Sequence, residues 1–164
     1  MKTLNQYIQE KLIINKDYRD AKIVVKSFDE LRNIIVDRYD KLGPGTKRNP
    51  IDFNDIDVSN LDSFCNDNDK GIFEGTKFKY IDISDWDVSN VTNMTRMFCW
   101  CKELESIGDI SKWDVSKVNS MIHMFFDCKK FNQDISNWDV SNVMGRVGMF
   151  YGCPIKNEYE PKFK

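Results

Sequence analysis

The sequence predicts an α/β repeat protein: a short solenoid of about four turns behind an N-terminal helical (α+β) cap. Three observations predict it. A six-residue phrase occurs four times after residue 50, an apolar pattern with helical spacing follows each of the best copies, and the first fifty residues lack the phrase but carry a helix signal of their own. Self-similarity at a period of some 20–50 residues marks stacked supersecondary units, none of which buries its apolar face alone.

The N-terminal module spans residues 1–50. Leu4, Tyr7, Ile8, Lys11 and Leu12 give a short amphipathic helix, broken at Asn15-Lys16-Asp17. Ile23, Val24 and Val25 then suit a short strand within residues 22–26. Ser27-x-x-Glu30 is a capping box, in which Ser and Glu satisfy free N–H groups of the first turn. Phe28, Leu31, Ile34, Ile35, Tyr39 and Leu42 form the buried stripe of the helix that follows. Gly43-Pro44-Gly45 ends it. This module is expected to cover the exposed edge of the first repeat. The alternative gives it a binding surface of its own.

The repeats span residues 51–153. The phrase reads Ile56-Asp57-Val58-Ser59-Asn60-Leu61, then Trp86-Asp87-Val88-Ser89-Asn90-Val91. It returns as Trp113-Asp114-Val115-Ser116-Lys117-Val118 and as Trp138-Asp139-Val140-Ser141-Asn142-Val143. Its starts lie 30, 27 and 25 residues apart. The last three copies share a longer frame, D-I-S-x-W-D-V-S-x-V-x-x-M-x-x-M-F-x-x-C. Extra residues fall in 102–108 and, in the first copy, around 65–70, as insertions into loops do. Phe64 thus aligns with Met94, and Phe73 with Phe98.

Within a copy, Ile83, Trp86 and Val88 are expected to face inward from a short strand-like segment. Val91, Met94, Met97, Phe98 and Cys101 fall on one face of a short helix, with Ser89 or Asn90 at its N-cap. Stacking would then create four internal columns: Trp86/Trp113/Trp138, Met97/Met124/Met149, Phe98/Phe125/Phe150 and Cys101/Cys128/Cys153. A polar tail, residues 154–164, closes the chain.

The frame resembles that of the BspA-type leucine-rich repeats found in bacterial surface proteins. The resemblance covers roughly residues 51–153, and it implies a right-handed leucine-rich-repeat-like solenoid with one strand per turn, used to bind other proteins. Two copies depart from the pattern. The first has Ile56 and Thr76 in place of Trp and Cys, and the last has Arg146 where Met94 and Met121 stand. Degraded end copies are what capping repeats look like. The opening residues 1–16 are similar to the start of short repeat proteins encoded by phages and mobile elements of bacteria.

Charge is distributed unevenly. The net charge of −2 divides into +4 over residues 1–50, −7 over residues 51–153 and +1 over residues 154–164. Acidic repeats argue against direct nucleic-acid binding by the repeats and suit a basic protein partner. No stretch is long and apolar enough for a membrane span or a signal-peptide core, so a cytoplasmic location is expected, that of the host if the gene is a phage's. The five cysteines form no C-x-x-C pair and read as free, structural thiols.

No catalytic residue, metal site or cofactor is expected. His123, the one histidine, occupies a slot held by Arg96 and Gly148 in other copies, so the frame does not require it. No nucleophile–base set or glycine-rich phosphate loop is recognisable. The recurring Asp82/Asp109/Asp134 and Asp87/Asp114/Asp139 read as turn-capping residues, with a shared calcium ion as the alternative.

Function is therefore sought in the variable slots. These are Thr95, Arg96, Cys99 and Trp100, then Ile122, His123, Phe126 and Asp127, then Val147, Gly148, Tyr151 and Gly152, all expected to face outward. Arg96, Trp100, Ile122, His123, Phe126, Val147 and Tyr151 are the candidate partner-binding residues, because exposed aromatics dominate interaction hot spots. The expected function is a non-catalytic protein–protein interaction module. Two alternatives are a phage-encoded inhibitor of a bacterial defence system, blocking a nuclease by surface occupation or acidic mimicry of nucleic acid, and a fragment of a cell-surface adhesin.

Overall fold

The computed structural model describes residues 22–163. Elements are short. Strand β1 (Ile23–Val24) leads to helix α1 (Phe28–Leu42), followed by β2 (Ile51–Asp52), β3 (Ile56–Asp57) and β4 (Ile81–Asp82). A 3-10 turn at Asn157–Tyr159 lies near the C-terminus. The strands pair in parallel, β1 with β3 and β2 with β4, with Ile23 opposite Ile56 and Ile51 opposite Ile81. The expected amphipathic helix at Leu4–Leu12 lies outside the described residues.

Helix α1 forms where its signals lie. Ser27 is the N-cap and accepts from the Glu30 N–H, while the Glu30 carboxylate reaches back to the Lys26 N–H at 2.7 Å. That is one residue beyond the N-cap N–H that a full capping box would bond. Leu31, Ile34 and Ile35 are buried, Phe28 and Tyr39 are half-buried, and Leu42 is 62% exposed, so the stripe ends one turn early. Gly43 adopts φ 74 and returns its N–H to the Tyr39 carbonyl.

The expected α/β solenoid of four turns is not what the structure shows. Among the described residues α1 is the only α-helix, and the sheets are two separate two-stranded pairs. No copy carries the helix read from the Val-x-x-Met-x-x-Met-Phe-x-x-Cys spacing. Residues 94–101 are instead a chain of linked tight turns. Met97, Cys99 and Cys101 donate to the carbonyls three residues back, on Met94, Arg96 and Phe98. The intervening N–H groups point at the next copy: Met94 to the Ser120 carbonyl, Arg96 to Ile122, Phe98 to Met124 and Trp100 to Phe126, all at 2.8–2.9 Å. The same alternation joins Met121, His123, Phe125 and Asp127 to Gly145, Val147, Met149 and Tyr151.

The physical reason lies in spacing and handedness. Two consecutive turns also place apolar side chains at intervals of three, one and three, so Met94, Met97, Phe98 and Cys101 point inward without a helix. The Met94–Met97 and Phe98–Cys101 turns, like their equivalents in later copies, close through a left-handed third residue, which a right-handed helix excludes. Arg96 and Trp100 have φ 56 and 59, His123 and Asp127 have 55 and 58, and Gly148 and Gly152 have 63 and 70. Ser89 and Asn90 cap nothing helical; Ser89 donates its N–H to Asp87, and Val91 closes a turn onto Val88.

One hydrophobic core runs from α1 through all four copies. The phenylalanine column is present and one ring longer than expected: Phe73, Phe98, Phe125 and Phe150 stack at 5.3, 5.4 and 5.8 Å. The Met97, Met124 and Met149 side chains are buried. The tryptophan column is shorter than expected. Trp113 and Trp138 stack at 6.1 Å, whereas Trp86 stacks on Phe73. The thiols of Cys101 and Cys128 donate to the Phe73 and Phe98 carbonyls at 3.1 and 2.9 Å. Cys153 leaves the pattern and bonds Phe131.

Candidate interaction surface

The turn segments bring most of the candidate residues together on one face. The Arg96 guanidinium lies 4.9 Å over the Trp100 ring and pairs with Glu74 at 2.8 Å. Trp100 meets Phe126 edge-on at 6.4 Å, His123 meets Phe126 at 5.0 Å, and Phe126 stacks on Tyr151 at 5.0 Å with planes 19° apart. A stripe of one cation and four rings thus crosses three copies. It is built by the hydrogen bonds between copies, which fix the distance from each ring to the next.

Exposure differs along the stripe. Trp100, Val147 and Tyr151 are 46%, 71% and 69% exposed, while Arg96, Ile122, His123 and Phe126 are half-buried. Thr95 and Cys99 do not face outward as expected. Thr95 is 7% exposed and shares a 2.7 Å bond with the Ser120 hydroxyl, and Cys99 is 1% exposed. They occupy the second position of their turns, which the left-handed third residue rotates inward. Asp127, half-buried, is flanked by Lys102 and Lys129. Beside the stripe, Gly75, Thr76, Lys77, Trp100, Lys102 and Glu103 line a shallow groove of about 540 Å³.

Trp100 is unusual. A bulky residue with φ 59 costs roughly 1–3 kcal/mol relative to glycine, and the aligned slots hold Asp127, Gly152 and Gly75. The indole therefore stands at a position where the fold alone would favour glycine. Sequence reasoning missed these left-handed slots. The signal was present in Gly75, Gly148 and Gly152, which align with Trp100, Arg96 and Trp100. It also missed Met144, 86% exposed where the other copies hold Thr92 and Asn119.

The repeated aspartates cap turns. Asp57, Asp87, Asp114 and Asp139 each accept the N–H of the serine two residues on, at 2.9–3.0 Å, and Asp82, Asp109 and Asp134 do the same at 3.0–3.1 Å. Hydrogen bonds from Ser89, Ser116 and Ser111 hold the Asp87, Asp114 and Asp109 carboxyls below their usual range. Among the described residues no three His, Cys, Asp or Glu side chains gather as a metal site requires. No helix among them is long and apolar enough to cross a membrane. Burial raises the thiols, Cys99 to about 11 and Cys101 to about 12.

A repeat protein with a side-chain stripe built across its copies is the class these features define. Residues 51–161 match the family described as "Mycoplasma protein of unknown function, DUF285", and the chain belongs to that family. No curated protein and no solved structure matches the chain.

Proposed function

We propose that this protein is a non-catalytic interaction module that holds a protein partner against the stripe of Arg96, Trp100, His123, Phe126 and Tyr151, flanked by Ile122 and Val147. The observation that carries the reading is Trp100: a large aromatic kept about half exposed, in a backbone conformation that favours glycine, under a guanidinium. Backbone strain tolerated at a surface residue is most economically explained by use of that side chain. The BspA-type repeat frame, with which the family is associated, supports a binding role.

A second reading is a phage-encoded inhibitor that occupies a host defence protein. The feature in its favour is the acidic row of Asp57, Asp87 and Asp114, close enough that each neighbour opposes ionisation of Asp87. The test is affinity capture from host lysate with the wild-type chain and with Trp100→Gly in parallel. A specific partner is captured by the first and lost by the second. A partner retained by both places the binding elsewhere, and a captured basic nuclease whose activity falls favours the inhibitor.

A further inference from the structure

The hydrogen-bond network that joins the copies has a direction, and its two ends are finished differently. Through its tight turns each copy accepts from the one before it and donates to the one after it, while Thr92, Asn119 and Met144, just ahead of those turns, donate back to the preceding copy. At the first copy the carbonyls of Ile72 and Glu74, equivalent to those of Met97 and Cys99, have no earlier copy to serve. The Arg32 guanidinium of α1 donates to both. At the last copy the N–H groups of Arg146, Gly148, Phe150 and Gly152 are equivalent to the donors of Met121, His123, Phe125 and Asp127. They have no acceptor among the described residues. The carbonyls of Arg146, Gly148 and Phe150 are turned into their own turns, bonded by Met149, Tyr151 and Cys153. From residue 146 to residue 152 this edge therefore presents a row of donors, next to the Met144 carbonyl, whose equivalents on Thr92 and Asn119 accept from the following copy.

The next layer is half filled. The Tyr159 carbonyl accepts from Ile135, as the Ile107 carbonyl does from Ile83, so the C-terminal segment takes the place of a further copy beside residue 135. Beside residues 146–152 no described residue accepts from these N–H groups, and the C-terminal segment approaches only at Phe163, which packs on the core beside Arg146. The vacancy lies where the repeat's hydrogen-bond register would set a further copy. It is flanked by exposed Met144, Val147 and Tyr151, and Arg146 stands at one end with its guanidinium over Phe163 and no carboxylate partner among the described residues.

We propose that this edge binds a single extended, acidic peptide segment of a partner protein, whose carbonyls take the four N–H groups and whose carboxylate meets Arg146. A donor row beside a cation favours an electron-rich ligand. Two such edges cannot pair with each other, since donor would face donor, so a second copy of this edge is not the occupant. Strand-like addition supplies the main-chain bonds, and alternate side chains set the choice of partner. This site adjoins the aromatic stripe at Val147 and Tyr151 and does not rest on it.

The test is a titration of the ¹⁵N-labelled full chain with a soluble ten-residue peptide alternating Glu and Val, with its Lys/Val counterpart as control. The expected result is downfield movement and slowed exchange of the Arg146, Gly148, Phe150 and Gly152 amide protons with the Glu peptide alone. Arg146→Glu is expected to weaken that binding about tenfold or more, while Trp100→Gly leaves it unchanged. Absence of binding by the Glu peptide, equal binding of the Lys peptide, or shifts confined to the aromatic stripe would each overturn the proposal. Folding of each variant is read from the buried Phe98 and Phe125 resonances.

Discussion

Three kinds of residue do separate work in the last three copies. The aspartates hold the turns through the serine N–H two residues on. Asp87, Asp109 and Asp114 have folded pKa values below the ordinary 3.8, the serine hydrogen bond being the largest cause. Their contribution to stability is complete above that value and is lost as pH falls through the lower folded values. Urea unfolding between pH 7 and pH 2 should therefore show stability flat near neutrality and falling only below about pH 4. The tryptophans are not equivalent. The Trp86 and Trp138 indoles donate to the Phe53 and Ile110 carbonyls at 2.9 and 3.0 Å, while the buried Trp113 Nε1 has no partner among the described residues. Trp113→Phe should cost about 1–3 kcal/mol less than Trp138→Phe, since it strands no carbonyl and gives up no bond. Chemical denaturation of the two variants compares them. The thiols are packing groups, raised by burial, so native protein should resist alkylation at pH 7.5 while unfolded protein reacts at all five cysteines.

At the scale of elements, the sequence was most informative where local chemistry decides. The Ser27 cap, the Leu31–Ile34–Ile35 face and the Gly43 stop of α1 all lie where side-chain type and spacing place them. The apolar positions of the repeats were equally legible, because burial depends on side chains, and the phenylalanine column follows from alignment alone. The backbone between them was not. Spacings of three, one and three satisfy a helix and a pair of turns alike, and the direction of an N–H group leaves no mark on composition. Only the glycines at 75, 148 and 152, compared across copies, carried the left-handed signal. The outward assignment of Thr95 and Cys99 failed for the same reason, since a helix would have turned them to solvent. Helix α1 matters beyond its own packing through Arg32. Arg32→Ala leaves the Ile72 and Glu74 carbonyls unmatched and should destabilise the fold by about 1–3 kcal/mol, a loss that a shifted urea midpoint would report.

Across the whole molecule, copies linked by alternating N–H bonds set rings from different copies at fixed distances, and this is what makes a surface from separated residues. Arg96, Trp100, His123, Phe126 and Tyr151 are spread over 56 positions of sequence yet touch in series. The inward columns behind them keep that array in register, so truncating a buried ring such as Phe125 should cost about 3–5 kcal/mol and blur the stripe as well. Trp100→Gly separates surface from scaffold, since glycine accepts the left-handed backbone that the indole strains. The most direct measurement is the affinity of the captured partner for wild type and for Trp100→Gly, with melting temperatures taken alongside. Binding is expected to weaken about thirtyfold or more, near 2 kcal/mol, with the melting temperature held or raised as glycine relieves the strain. Unchanged affinity in a folded variant, or affinity lost only together with the fold, would contradict it.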